Sequence, residues 1–532
     1  MEMTKGNLWR QIWIYSVPLM LTNLLQVFFN LADVAVVGKF AGPISLGGVG
    51  STTLLVTLTT GFLIGMSNGV NTLTALFIGS GEKDREVKTV HTGFVLCLVT
   101  GLAVLILGII FANPILSLLG TKDELFSEAS IYFKIYMLGS PALAIYNYGN
   151  AVLSAAGDTK KPLKYLTTAG VINVLLNLVF VIGLGMQASG VALASIFSQY
   201  VSAILILRAL LKTTETYGLQ FGRILAGKKA NRNDSAFSLV ADHVEEISTE
   251  PEVVDQTTTT TKPVVTMHTK ATTKPVVSVH TKATTKPVVT VHTKATTKPG
   301  VVGQIIATTK LLVDWRIAAR ILNISIPAAF QYSLFAIANL VVQSAVNSFD
   351  HITVEGNSAA MNADAVIYDM MAAFYTACSS FIAQNYGAGN KDRIRKTYLI
   401  TTFYSFMVGF VLGGLLFVFK TQFLFLFTSD QQVIQQGAIR ISVMAFSYCV
   451  SALMDNATAG ARGLGKTLVP TVAIIFGSVV YRVLWIMTVF AHFHTLQSLY
   501  LLYVTAWTFT AIIGNTYFVG LYKKIPLKRA DA

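Results

Sequence analysis

Twelve apolar runs, each long enough to cross a lipid bilayer, occupy most of the sequence outside its centre. A helix needs about 20 mostly apolar residues to span the hydrocarbon of a membrane. The runs lie at 12–38, 51–78, 89–112, 129–155, 163–185, 189–211, 316–349, 358–386, 397–420, 433–460, 467–491 and 496–521. Charged residues make up only 12% of the 532 positions, whereas soluble domains carry about 25%. The sequence therefore predicts an all-α polytopic membrane protein with twelve transmembrane helices.

Basic residues in the loops predict the orientation of these helices. Every second loop and the C-terminus hold clusters of Lys and Arg, whereas the alternate loops hold only Lys39, Lys122 and Lys420. Because cytoplasmic loops are enriched in Lys and Arg, we expect both termini and the central segment on the cytoplasmic side of a plasma membrane. The formal net charge of +14 is spread over these short clusters. Such clusters orient helices and contact lipid head groups, so we expect no nucleic-acid partner.

The central segment from 213 to 314 differs in composition from the rest of the chain. It contains three copies of a 12-residue repeat, TTKPVVTMHTKA from Thr260 and close variants from Thr272 and Thr284. A repeat with one Pro, several Thr and no packed apolar face is typical of an extended, low-complexity linker. We therefore expect a disordered cytoplasmic linker that is largely dispensable for function.

The six runs before this segment resemble the six after it. IGSGEKDREVKT (Ile78–Thr89) corresponds to YGAGNKDRIRKT (Tyr386–Thr397), 308 residues later. The chain is therefore divided into an N-terminal six-helix bundle at 1–212, the linker at 213–314 and a C-terminal six-helix bundle at 315–532. Duplicated six-helix bundles that enclose a central cavity are typical of secondary transporters. A substrate-gated channel and a receptor without transport activity remain alternatives.

The first run carries four polar side chains on one predicted helical face. Asn23, Gln26, Asn30 and Asp33 follow one another at intervals of three, four and three residues, the spacing of one side of a helix. No basic residue within the run neutralises Asp33, and a charge in hydrocarbon costs roughly 2.5 kcal/mol or more. Asp33 should therefore face protein or water. It is either a packing residue held by hydrogen bonds or an acid that binds a proton or a cation.

Several motifs in both halves resemble the multidrug and toxic compound extrusion (MATE) transporters. LADVAVVGKF in the first run is similar to the V-D-x-x-x-V-G segment of that family, FIAQNYGAGNKDRIRK ends the eighth run and AGARGLGKT follows the tenth. The resemblance covers about 10–212 and 314–522 and is greatest to the prokaryotic DinF-type branch. It implies a monomeric antiporter without a cofactor. Such an antiporter exports small amphiphilic organic compounds, often cations, in exchange for protons or sodium ions by alternating access.

A lipid-linked oligosaccharide flippase of the same superfamily is the alternative that this architecture leaves open. Flippases of this group tend to have additional helices and basic cavities, so twelve runs and an acid in the first run weigh against it. An enzyme is not expected, because the sequence has no phosphate-binding glycine loop, metal-ligand cluster or nucleophile constellation.

The resemblance also implies functional residues in the first half. The essential acid of the family corresponds to Asp33, and its polar pair in the fifth run corresponds to Asn173 and Asn177. These two residues are four apart and share a helical face, so their amides can bond to a protonated acid or supply oxygens to sodium. Packing between helices is the other interpretation of the pair.

The second half offers a different set of candidates for binding ion or substrate, namely Asn339, Gln343, Asp369, Asp455 and Arg482. Some members of the family carry a glutamate in the seventh run, but this sequence has no acid between 315 and 349. A buried Arg near two acids more often indicates an ion pair than a substrate site. We therefore predict that Asp369 or Asp455 neutralises Arg482.

Overall fold

The computed structural model describes residues 1–219 and 313–526, together with three short strands between these ranges. The strands are β1 (Met267–Thr269), β2 (Pro275–Val277) and β3 (His292–Thr293), and β1 pairs antiparallel with β2 and parallel with β3. Residues 213–219, 313 and 314 of the predicted linker are thus described, and the rest of the linker apart from the three strands lies outside the described residues. One compact unit combines Met1–Leu219 with Val313–Ala532, and Gln220–Leu312 forms a second unit.

The first half of the larger unit consists of helices interrupted by two π-helical segments. The α-helices are α1 (Leu8–Val36), α2 (Gly42–Ser80), α3 (Lys83–Leu118), α4 (Asp123–Met137), α5 (Ser140–Ala155), α6 (Lys160–Asn177) and α7 (Gln187–Lys212). The π-helical segments are π1 (Val37–Ala41), which follows α1, and π2 (Leu178–Gly183), which follows α6.

A similar succession of long helices follows the linker in the second half, but no π-helical segment comes directly after its first helix. Its α-helices are α8 (Trp315–Val346), α9 (His351–Gly387), α10 (Lys391–Val418), α11 (Lys420–Phe425), α12 (Gln431–Met444), α13 (Ser447–Gly463), α14 (Leu468–Ile474), α15 (Tyr481–Trp485), α16 (Ala491–Phe493) and α17 (Leu496–Lys524). The segments π3 (Ile475–Val480) and π4 (Ile486–Phe490) join α14, α15 and α16 into one long helical segment.

Side-chain caps explain where several of these helices begin. Asn7, Asp314, Asp350 and Asp430 each precede a helix and accept hydrogen bonds from main-chain N–H groups of its first turn. Thr495 and the residue three positions later form a capping box at the start of α17. These caps satisfy donors that have no partner within the helix.

Nine helices of the described ranges are long and apolar enough to cross a membrane, and a pair bent by 48°, α12 with α13, makes a tenth. One of the nine, Leu8–Ser80, contains both α1 and α2. The Ser380 hydroxyl bonds to Tyr15 in α1 and to Asn71 in α2, at 3.0 Å each. The chain must therefore reverse between them. The predicted all-α membrane fold is confirmed, but helix length and composition do not establish the count of twelve.

The two halves pack tightly at one end of the bundle. We name this end the terminal face, because it contains the start of α1 at Leu8 and the end of α17 at Lys524. A Cβ atom on Gly65 would lie 2.3 Å from the Cα of Ala329, and one on Gly79 would lie 1.9 Å from the carbonyl oxygen of Gln384. Only glycine allows so close a backbone approach.

Beyond the middle of the bundle the halves no longer bond to each other. Within the described ranges, the hydrogen bond between the halves farthest from the terminal face joins the Asn23 amide to the Asp369 carbonyl oxygen, at 2.7 Å. On α2 and α8, the contact between the halves that a glycine makes farthest from the terminal face joins Gly61 to Tyr332. The segments of α1 and α8 that continue past this level pack within their own halves. We name the opposite end, where α2 begins at Gly42, the distal face.

Candidate ion-coupling and substrate site

Asp33 lies in the distal part of α1, in the last turn before π1. Its neighbours come from α6, where Asn173 and Asn177 occupy the last two turns before π2. π-Helical segments inside helices often occur at functional sites. The two helices that hold the predicted residues are thus each interrupted directly after them.

A close crossing of α1 and α6 brings these residues together. A Cβ atom on Gly170 would lie 1.8 Å from the Cζ atom of Phe29, so this position has no room for a larger side chain. Phe29 is about one turn before Asp33, and Gly170 is about one turn before Asn173. One glycine and one aromatic ring therefore set the distance between α1 and α6 at this crossing. The polar residues around Asp33 meet one turn farther along.

The Asp33 carboxylate accepts hydrogen bonds from two neutral side chains. Asn177 Nδ2 donates to its Oδ1 at 2.5 Å, and Ser195 Oγ in α7 donates to its Oδ2 at 3.0 Å. Asn173 accepts from Asn177 at 3.2 Å and donates to Ser195 at 3.4 Å, so the three residues form a connected network. The sequence interpretation missed Ser195, because a serine in an apolar helix gives no distinctive signal.

The surroundings of Asp33 suit a cation as well as a proton. Asn177 Oδ1 is buried and has no hydrogen-bond partner in residues 1–219 and 313–526. With the Asp33 carboxylate and Asn173 Oδ1, it makes a set of oxygen atoms of the kind that binds hard cations. The stacked rings of Tyr132 and Tyr136, with centroids 6.1 Å apart, lie close enough to interact electrostatically with Asp33.

The other polar residues of the α1 face do not join this network. Asn23 bonds to the main chain of α9, in the other half. Gln26 is partly exposed and Asn30 is exposed, and neither has a hydrogen-bond partner in the part of the chain that the structure describes. The predicted stripe is thus divided, because α1 packs against the second half near its start and against α6 near its end.

The structure contradicts the prediction that Asp369 or Asp455 neutralises Arg482. Arg482 is 2% exposed, and among the described residues it makes no salt bridge. Its Nη1 donates to the Asn339 amide oxygen at 2.8 Å, and its guanidinium carbon lies 4.6 Å from the centroid of the Tyr503 ring. A neutral amide and an aromatic face therefore take the place of the expected carboxylate.

An ion pair of the second half joins a buried arginine to a partly exposed aspartate, two residues that the sequence interpretation missed. Arg440 in α12 is 2% exposed and forms a salt bridge with Asp364 in α9. The Tyr448 hydroxyl also donates to Asp364, and Arg440 Nη1 donates to Asn357 at 2.8 Å. Both charges lie inside apolar runs of the sequence, so a complete list of charged residues within the runs would have included them.

The remaining candidates of the second half have separate environments. Gln343 bonds to Asn347 at 2.9 Å and to Asn357 at 3.3 Å, and so extends the polar cluster around Arg440. Asp369 is partly exposed, and its carbonyl oxygen accepts from α1. Asp455 is 5% exposed, and its Oδ2 has no hydrogen-bond partner in the two described ranges. The five candidates of this half therefore do not form one site.

A family model described as MatE matches residues 18–179 and 327–487, one range in each half and together more than half of the chain. The chain belongs to the MatE family of multidrug efflux transporters. It is therefore a transporter rather than an enzyme, as predicted, and an integral membrane protein. The MATE recognition made from the sequence motifs is confirmed.

Relatives of this MatE protein extend over most of its length. "Probable multidrug resistance protein YpnP" of Bacillus subtilis (strain 168) is 24% identical over 449 residues, which are 84% of this chain and 80% of the relative. "FAD transporter" of Shewanella oneidensis is 22% identical over 437 residues, 81% of this chain and 77% of the relative.

A solved structure shares the fold along nearly the whole chain. It is described as the outward-facing conformation of a multidrug resistance MATE family transporter of the MOP superfamily, and it matches with a TM-score of 0.74 at 18% identity. The match covers 98% of both chains. At this level of identity the likeness establishes the architecture of the two halves.

Proposed function

We propose that this MatE protein is a secondary active antiporter that exports small amphiphilic organic cations in exchange for protons or sodium ions. The observation that supports the proposal is the Asp33 carboxylate in the distal part of the first half. It is partly exposed, its donors are neutral, and no salt bridge to it occurs within the described residues. An intramembrane acid without a counter-charge is by default a functional residue.

Competition at this carboxylate provides the coupling. When Asp33 is ionised, it attracts a cationic cargo. When a proton or a sodium ion binds, the negative charge is cancelled and the cargo is released. Coupling ion and cargo therefore exclude each other at one site, and each ligand favours the state that binds it better. A proton needs only the carboxylate, whereas sodium would also use the oxygens of Asn173 and Asn177.

The packing of the two halves supports alternating access. The hydrogen bonds that join them lie between the terminal face and the middle of the bundle, and among the described residues none joins them closer to the distal face. If the basic loops place the terminal face in the cytoplasm of a plasma membrane, this arrangement is open to the outside. In that state the protein would release cargo and take up the coupling ion. We propose that it does so as a monomer and without a cofactor.

The class of cargo is not restricted to cations by the relatives. One relative is named as an FAD transporter, and FAD carries phosphate groups.

The test is transport by purified protein in liposomes with an imposed proton or sodium gradient, followed with a fluorescent organic cation. Wild-type protein should move the dye with one of the two gradients, which identifies the coupling ion. Asp33→Asn should insert normally but reduce gradient-driven transport to the level of protein-free liposomes, because the exchangeable charge is lost. Asp33→Glu should retain part of the activity.

A matched control is Asp84→Asn. Asp84 pairs with Lys88 on an exposed turn at the terminal face, and 80% of its side chain is exposed. This change removes one acid without touching the proposed site, so transport should match wild type. Gradient-driven export by Asp33→Asn at the wild-type rate would place the coupling at another residue, with Asp369 and Asp455 the next to test.

A further inference from the structure

A buried guanidinium in the second half lacks a carboxylate partner among the residues that the structure describes. Arg482 is 2% exposed, and its hydrogen bond goes to a neutral amide, that of Asn339. Its Nε is buried and has no hydrogen-bond partner in the described ranges. The Tyr503 ring covers one side of the guanidinium. Arg482 therefore carries a charge that no carboxylate of the described residues neutralises, and its Nε–H is still able to donate a hydrogen bond.

The neighbouring charges do not neutralise it. Arg440 lies over the same Tyr503 ring, with its guanidinium carbon 5.5 Å from the centroid, and it repels Arg482. Asp364, the carboxylate that contacts this cluster in the described chain, is already paired with Arg440. Two guanidinium groups and one carboxylate leave an excess of one positive charge. An uncompensated charge at this depth is costly, so an anion supplied from outside the protein would stabilise the cluster.

The cluster is reachable from the separated part of the bundle. Asn339, the partner of Arg482, is exposed and lies on α8 seven residues beyond Tyr332, which packs against Gly61 of the other half. Seven residues of helix correspond to about 10 Å toward the distal face. Asp33 lies ten residues beyond Asn23 on α1, in the same direction. The unpaired cation and the unpaired acid are therefore both on the open side of the bundle, one in each half.

We propose that Arg482 binds an acidic group of the exported molecule, a carboxylate or a phosphate, through the side of its guanidinium that the Asn339 amide leaves free. Guanidinium groups bind both anions through paired, charge-assisted hydrogen bonds. The Nε and Nη2 groups of Arg482 point to the same side and form such a pair, and Nε lacks a partner in the described chain. The inference rests on the proposed function, in which Asp33 takes a cationic group. The preferred cargo is then zwitterionic, with its cation toward the first half and its acid toward the second.

A pair of dyes separates the two charges. Rhodamine B has a cationic ring system and a free carboxylate, whereas its ethyl ester keeps the cation and loses the acid. Binding of each dye to purified protein in phosphatidylcholine nanodiscs is measured by fluorescence polarisation. Wild type should bind rhodamine B about tenfold more tightly than the ester, a difference of about 1.4 kcal/mol. In Arg482→Gln the ratio of the two dissociation constants should fall to near one.

The matched control is Arg395→Gln, which removes a cation from an exposed position at the terminal face and should leave the ratio unchanged. Should Arg482→Gln fail to insert, Arg482→Lys replaces it. Lysine keeps the charge but loses the planar pair of donors, so the ratio should fall several-fold. Equal binding of both dyes by wild type, or a full preference in the tested Arg482 variant, would overturn the proposal.

Two further measurements distinguish binding of cargo at Arg482 from binding of lipid there and from the antiporter function itself. Lipid head groups also carry phosphate, so the binding is repeated with phosphatidylglycerol in the nanodiscs. Loss of the preference there would assign the site to lipid and overturn its assignment to cargo. Gradient-driven transport of the ester by wild type tests the antiporter function by itself. A preference without transport refutes the antiporter, whereas transport without a preference refutes the anion site.

Discussion

The two halves of the molecule use one helix crossing for opposite charges. In the first half a residue of the fifth run, Asn177, bonds to Asp33 in the first run, 144 residues away in sequence. In the second half the corresponding contact joins Arg482 to Asn339, 143 residues apart. In both halves the first and fifth runs of the repeat therefore contact each other. The charged residue at the contact is an acid in the first half and an arginine in the second.

The halves also differ in how they hold their charges. The Asp33 carboxylate is held by neutral amide and hydroxyl donors, whereas Arg440 is held by a counter-ion, Asp364. A group with neutral partners can change its charge without leaving another charge unpaired. A group in a buried ion pair cannot. This contrast leads us to expect a titrating or exchanging site in the first half and a permanently charged one in the second.

The largest expected effect comes from breaking the ion pair of the second half. Arg440→Gln leaves Asp364 as an uncompensated charge and should lower the free energy of unfolding by about 3–5 kcal/mol. The double variant with Asp364→Asn should recover much of that loss, because neither charge remains. Thermal unfolding of the purified protein in detergent measures both.

Asp33→Asn is the matched variant in the first half, where it should change stability far less. The contrast between the halves would be wrong if Asp33→Asn destabilised the protein as much as Arg440→Gln does. It would also be wrong if the double variant were no more stable than Arg440→Gln alone.

An intermediate effect is expected at the crossing of α1 and α6. Gly170→Ala places a methyl group where the Phe29 ring lies, and overpacking of this kind costs about 1–3 kcal/mol. It should also weaken coupled transport, since α6 carries the partners of Asp33. Gly183→Ala in π2 is the control, because a Cβ atom there meets no described atom within 4 Å. A similar loss of stability and transport in both variants would show that the close packing at the crossing of α1 and α6 is not the cause.

The smallest effects are expected at two arginines that the repeat places in equivalent positions. Arg393 donates to the carbonyl oxygens of Met3 at 3.0 Å and Gly6 at 2.9 Å, and so ties the N-terminal segment to the second half. Arg85 forms a salt bridge with Glu82, with 57% and 42% of the two side chains exposed. Arg393→Gln should therefore weaken the protection of residues 3–6 against amide exchange by about 1 kcal/mol.

The corresponding change at the other arginine, Arg85→Gln, should have an effect between 0 and about 1 kcal/mol, because exposed ion pairs contribute little. Both are measured by hydrogen exchange with mass spectrometry. Equal effects at Arg85 and Arg393 would mean that the N-terminal segment is not held by the second half.

Sequence reasoning was more successful for the site of the first half than for that of the second. Asp33 was chosen because an acid in an apolar run is conspicuous. Asn173 and Asn177 were chosen because they match the polar pair of the MATE family and share a helical face. The structure brings all three into contact. The partner of Arg482 was predicted wrongly, because spacing along one helix gives no information about which neighbouring helix lies opposite. Asp364 and Arg440 were missed as candidates although both lie inside apolar runs, and their pairing across 76 residues cannot be inferred from spacing along one helix.

The sequence by itself determined the membrane fold, the duplication and the presence of an uncompensated acid in the first helix. Apolar run length and helical spacing are local properties that the bilayer enforces on any chain. Only the tertiary structure decided which polar side chains face one another across helices. That choice depends on close approaches such as Gly170 against Phe29, where the available space is set by residues far apart in the chain. The same dependence made Asn339 rather than a carboxylate the partner of Arg482.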